Sequence, residues 1–242
     1  MTARKKNFVS IGFILLLGAL ARGSAAYYSA GFQYADEHFQ LLEPAFGLVH
    51  GFWMKSWEWE EGIRSWLGPF LIAAPLQVLS LFKNLDPEQT VLWIRQLSGL
   101  LSWVVIWSVY QISRQISGER VALWAATMIA LWWSFICYGV HPSSESLSTS
   151  LSIFAFLGAF EAWHQEKECF GKAFLVGVLS GISFGVRFQT GFFGISFFIL
   201  FLSKSIRSPL NGSDPKNGAT SVWKSETTSF LGGLLLALLG VG

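Results

Sequence analysis

Between Tyr34 and Pro69 the chain reads YADEHFQLLEPAFGLVHGFWMKSWEWEEGIRSWLGP, gathering carboxylates and indoles in a sequence that is otherwise largely hydrocarbon. Asp36 and Glu37 are followed by His38, Gln40 and Glu43. In an α-helix Asp36, Gln40 and Glu43 fall at i, i+4 and i+7, so one face would present two carboxylates and an amide. Such a face can take the proton of an attacking hydroxyl. An acidic loop facing water is the bland alternative. The neighbouring Trp53 and the alternation of Trp57, Glu58 and Trp59 argue against it, because tryptophan prefers the membrane interface. Indoles alone are more often anchors. Together with the acids they describe a polar cavity resting on the membrane surface.

Arg64, at the end of the acidic stretch, His141 and Glu145 after a later apolar run, and Arg187 within SFGVRFQTGFF add further polar points. A charge such as Arg187, bounded by short apolar segments, is expensive unless it is paired or functional. Pairing with Glu145 or with an acid of the first loop is one reading. An anion clamp is the other, since a guanidinium grips phosphate oxygens through several donors. Carboxylates facing an arginine suit a transfer whose donor carries a lipid phosphate: the acid takes the acceptor's proton and the cation offsets charge on the departing phosphate. Asp36 and Glu37 lack a convincing third ligand, so neither a metal nor another cofactor is expected.

The elements that must position these residues are membrane helices. Of the 242 residues 52% are hydrophobic and 13% charged, where soluble domains carry about a quarter charged residues. A net charge of +2, with basic residues scattered at the ends of apolar runs, gives no nucleic-acid footprint. Cys137 and Cys169 have neither metal nor disulfide spacing and read as free thiols. The basic start followed by Phe8 to Ala21 fits an uncleaved first helix better than a signal peptide, with Arg22 snorkelling towards its outer end.

Further helices are expected near 91–112, 121–139, 146–163, 171–186 and 189–203, with a seventh beginning near Ser229. The doubtful run is Ser65 to Phe82. If it does not cross, eleven of the 17 Lys and Arg lie on the cytoplasmic side, in keeping with the positive-inside tendency; if it crosses, that excess is lost. It therefore reads as re-entrant or interfacial, within an extracytoplasmic loop spanning 27–89. Residues 204–226 form a polar cytoplasmic connector, on which Asn211-Gly212-Ser213 would stay unmodified. The expected fold is an all-α polytopic membrane protein, 1–242 forming a single transmembrane module. Because the apolar run from Leu231 stops without a polar tail, the chain reads as the N-terminal part of a longer protein.

The motif ADEHFQLLEPA…SWEWEEGIRSWLGP resembles the first luminal loop of the mannosyltransferases of N-glycan precursor and GPI-anchor assembly, glycosyltransferase family 22 with the GT-C fold. Asp36, Glu37, His38, Gln40 and Glu43 match, then Trp57, Glu58, Trp59, Ile63, Arg64, Ser65 and Pro69. Arg95 resembles the arginine opening the family's next helix, Glu145 the acid of a Ser-Asn-x-x-Glu motif, and Arg187 the arginine of Arg-Pro-Thr. Ala35, Pro142 and Phe188-Gln189 depart from the pattern, which bears on the acceptor more than on the reaction.

The resemblance implies transfer of mannose or a related hexose from a polyprenyl- or dolichyl-phosphate sugar to a glycan hydroxyl, with inversion. Asp36 would be the base and Glu37 would orient the acceptor or hold a loop. His38, Gln40, Glu43, Trp57, Glu58, Trp59, Arg64, His141, Glu145 and Arg187 would line the substrates. The protein would be multi-pass, in the endoplasmic reticulum membrane of a eukaryote or the inner membrane of a bacterium. A transporter or flippase, with Glu145 and Arg187 lining a pathway, and a non-catalytic membrane subunit are the rival readings; no inverted repeat is visible to favour the first.

Overall fold

The computed structural model describes residues 3–82, 86–165, 169–207 and 226–239, nearly all helical. They fall into two compact units, 1–150 and 151–242. The first holds α1 (Ala3–Tyr28), a π-helix (Glu37–Leu42) running into α2 (Glu43–His50), the one-turn α3 (Trp57–Glu60), α4 (Leu67–Ser80), α5 (Pro87–Ser117), α6 (Glu119–Leu131), α7 (Trp133–Val140) and the start of α8 (Ser144–His164). The second holds the rest of α8, α9 (Phe170–Val186), a 3-10 turn (Phe188–Thr190), α10 (Gly191–Arg207) and α11 (Glu226–Leu239). Most of the 204–226 connector, including Asn211, lies outside the described residues.

Helices occupy each of the expected positions. Ser10–Tyr28 and Pro87–Ser117 are long and apolar enough to cross a membrane, and α6 with α7 adds a third if the bent pair is one span. The shorter apolar helices include α4, which packs beside α2 and the π-helix.

In the first unit α1, α5 and α6 meet around Ile11, Ile106 and Tyr110, with Ala122, Ala126 and Ala130 all fully buried at every fourth position of α6. A stripe of methyl groups lets helix backbones approach closely, the usual means of packing where lipid is as apolar as the side chains. α5 starts cleanly: the Asp86 carboxylate accepts from the Gln89 amide at 2.7 Å and Pro87 occupies the first turn.

Two findings correct the sequence reading here. The helix expected over 121–139 is broken, because Trp132 is extended (φ −67°, ψ 125°) and α6 and α7 meet at 56°. Arg22 does not snorkel. It is 2% exposed and donates to the Ala130 and Ile129 carbonyls at 3.1 and 3.0 Å and to the Ser102 hydroxyl at 2.9 Å. A helix that stops inside a bundle leaves its last carbonyls without amide partners, and Arg22 satisfies two of them at the negative end of α6.

The second unit is held by a close approach of α9 and α11. A Cβ on Gly177 of α9 would lie 2.0 Å from the Phe230 carbonyl oxygen, and one on Gly233 of α11 would lie 2.1 Å from that of Phe174. Around this crossing pack Ala155, Ala159, Ala162, Val176, Phe197, Phe201 and Phe230. The buried Glu226 ties the helix ends together by accepting from the Cys169 amide at 2.6 Å and from the Lys204 ammonium at 3.0 Å.

Candidate functional site

The acid pair sits where α1 gives way to the π-helix. The Glu43 amide bonds to the His38 carbonyl five residues back, which widens the turn relative to an α-helix. The single polar face expected of an α-helix is therefore absent: Asp36 is exposed, Gln40 is buried and Glu43 is half-buried. Glu37, next to Asp36, is 0% exposed.

Three parts of the first unit hold Glu37. One carboxylate oxygen accepts from the Gln33 amide at 2.8 Å, and both lie 2.9 Å from Nδ1 of His141 at the junction of α7 and α8. The Arg95 guanidinium, from α5, lies 3.7 Å away. Arg95 also donates to the carbonyls of Ser29, at 2.6 Å, and Gly31, so it fixes the chain leaving α1. Gly31 adopts φ +70°, a conformation that side chains disfavour and that lets the chain turn there. Nε2 of His141 lies 2.7 Å from the Ser29 hydroxyl. A carboxylate only accepts, so Nδ1 carries the hydrogen, and in the neutral ring Nε2 accepts from Ser29. His141 is itself placed by the start of α8, where Ser143 and Ser146 exchange amide-to-hydroxyl bonds of 3.0 Å in a reciprocal cap.

The remaining loop residues form a second layer. His38 is 3.3 Å from Glu43, whose other oxygen accepts from the Met54 amide at 3.1 Å. Arg64 grips Glu58 with two donors, at 3.1 and 2.8 Å. These bonds hold the Glu58 carboxyl below its ordinary pKa; partial burial opposes the shift, and a bond from Gln40 reinforces it. Of the alternating indoles Trp57 is exposed, whereas Trp59 turns inward, donates to the Phe39 carbonyl at 3.1 Å and packs against Trp53 and Trp66. Gly47 accommodates Trp53, whose ring would be 2.2 Å from a Cβ there.

Asp36, Glu37, His38, Gln40, Glu43, the tryptophans, Glu58, Arg64, His141 and Glu145 thus all belong to the first unit, Glu145 exposed in the first turn of α8. Arg187 belongs to the second unit, half-buried and extended (φ −149°, ψ 111°) between α9 and the 3-10 turn. Ser29, Gly31 and Arg95 border a cavity of about 630 Å³ that is also lined by Tyr27, Phe32 and Leu92. Among the described residues no His, Cys, Asp and Glu cluster could hold a metal ion. Ser29 and Gln33 were not legible as site residues, being ordinary polar residues without motif context.

Residues 13–212 match the Alg9-like mannosyltransferase family, and the chain belongs to that family. Among curated proteins it is 32% identical over 119 residues to the mannosyltransferase APTG1 of Arabidopsis thaliana, covering 49% of this chain and 22% of that protein. It is 30% identical over 122 residues to the human GPI alpha-1,2-mannosyltransferase 3, covering 50% and 22%. With the GPI mannosyltransferase 3 of Drosophila melanogaster the identity is 28% over 158 residues, covering 65% and 27%. The chain thus spans about a quarter of the length of these relatives. No solved structure matches it.

Proposed function

We propose that the chain carries the acid site of a multi-pass, GT-C-type glycosyltransferase that moves mannose, or a related hexose, from a polyprenyl- or dolichyl-phosphate sugar to a glycan hydroxyl. The names of the relatives favour a GPI-type glycan as acceptor and a transferase over a transporter. The observation that carries the mechanism is the opposite fate of two adjacent carboxylates: Glu37 is sealed in the protein and Asp36 is left open at the surface.

Asp36 takes the proton of the acceptor hydroxyl as its oxygen attacks the anomeric carbon. The bond from that carbon to the phosphate oxygen breaks, and the lipid phosphate leaves with the bonding pair. One displacement inverts the anomeric centre. Because phosphate leaves as a stable anion, no separate general acid is required. A cation facing the departing phosphate offsets its charge. The loop faces the lumen of the endoplasmic reticulum in a eukaryote, or the periplasmic side of a bacterial inner membrane.

In membranes carrying the full-length protein, Asp36→Asn should lower transfer of labelled mannose from a polyprenyl-phosphate donor by about 10²-fold or more with normal insertion, the range expected for loss of a general base. Undiminished transfer by that variant removes the mechanism.

A further inference from the structure

We propose that His141 and Ser29 are positioning residues for the transfer reaction: through Glu37 they fix the backbone that presents Asp36 to the acceptor. The proposal rests on Asp36 as the base. Asp36 opens the π-helix with φ −63° and ψ −35°, and its side chain makes no capping bond there. Without such a bond to hold it, the carboxylate is presented where the backbone at 36–37 places it.

That backbone is anchored by Glu37, a fully buried side chain one residue on. The anchor has to be taut, because a shift of about 1 Å at a reacting group can cost about 10²-fold in rate. His141 bridges the anchor to α1's exit: Nδ1 meets Glu37 at 2.9 Å and Nε2 meets Ser29 at 2.7 Å, so both ends of the ring are held and its plane cannot swing. At 6% exposed, His141 is enclosed with both nitrogens engaged, which suits a strut better than a group that meets substrate. Arg95 closes the circuit from the Ser29 carbonyl back towards Glu37.

His141→Asn, His141→Gln, His141→Leu and Ser29→Ala test this in the full-length protein, with activity expressed per folded molecule counted by gel filtration of detergent-solubilised membranes. The asparagine amide nitrogen stands near Nδ1 and keeps the Glu37 contact, whereas that of glutamine stands near Nε2 and keeps only Ser29. His141→Asn should retain kcat within about threefold, while His141→Gln and His141→Leu lose about 10²-fold in kcat at unchanged donor KM. Ser29→Ala should lower kcat by several-fold, again at constant KM, and decides the matter if the His141 variants do not fold. A merely structural role predicts fewer folded molecules with normal kcat, and that result, or equal losses in the Asn and Gln variants, overturns the proposal. Asp36→Asn run in parallel separates the two claims. If it is inactive while His141→Leu and Ser29→Ala keep kcat, only the positioning role fails; if it transfers normally, the base assignment fails first.

Discussion

Asp36 and Glu37 share a motif and a charge, yet nothing in their types says which turns inward. Burial of Glu37 is tolerable because Gln33, His141 and Arg95 compensate it, and stripping one partner from a buried ionic group costs about 3–5 kcal/mol. Glu58 makes a separate, pH-dependent contribution. Arg64 lowers its pKa in the folded chain, so the stabilisation is fully present above the unfolded value and is lost as the pH falls through the depressed folded value. Tryptophan fluorescence of the Trp53, Trp59 and Trp66 cluster should therefore report loosening of the loop only at acid pH, below the ordinary glutamate range. Glu58→Gln should abolish that dependence and weaken the loop by about 1 kcal/mol or less, the worth of a partly exposed pair. A midpoint unchanged in Glu58→Gln would assign the transition to another group. At this scale the acids, Arg64 and the indoles were legible from motif and spacing, while Ser29 was not, because a single serine carries no pattern.

Helix positions were the most legible feature, since an apolar run of given length declares itself locally. Their defects were not. The π-helix arises in a stretch whose spacing suits an ordinary helix, and the α6–α7 break arises at Trp132 with no proline or glycine beside it to announce it. The break is sustained from outside by Arg22, which bonds the carbonyls that end α6. Adjacent glycines of α11 give a clean test of close packing. A Cβ on Gly232 meets nothing within 4 Å, whereas one on Gly233 meets the Phe174 carbonyl oxygen at 2.1 Å. Gly232→Ala should leave thermal stability in detergent unchanged or raise it by up to about 1 kcal/mol, the helix-propensity difference. Gly233→Ala should lower it clearly, since backbone on both sides must move apart. Similar behaviour of the two variants would mean that α9 and α11 do not touch.

Taken whole, the molecule is two helical units, with the acid network contained in the first. The proposed topology puts the loop from 27 to 89 outside and the α5–α6 turn in the cytoplasm. In a background lacking Cys137 and Cys169, a cysteine at the exposed Glu61 should react with an impermeant thiol reagent in sealed, outward-facing membranes, and one at the exposed Ser117 should react only after permeabilisation. Labelling of both positions before permeabilisation would mean that α4 crosses the bilayer. Sequence alone determined the membrane character, the places of the helices and the acid-and-indole motif, because hydrocarbon runs and short motifs are local properties of the chain. Tertiary structure decided which carboxylate is sealed and where Arg22 points. Those outcomes depend on partners far along the chain, His141 at 104 residues from Glu37 and 112 from Ser29, and Ser102 at 80 from Arg22, and no local pattern encodes a pairing made only when helices pack.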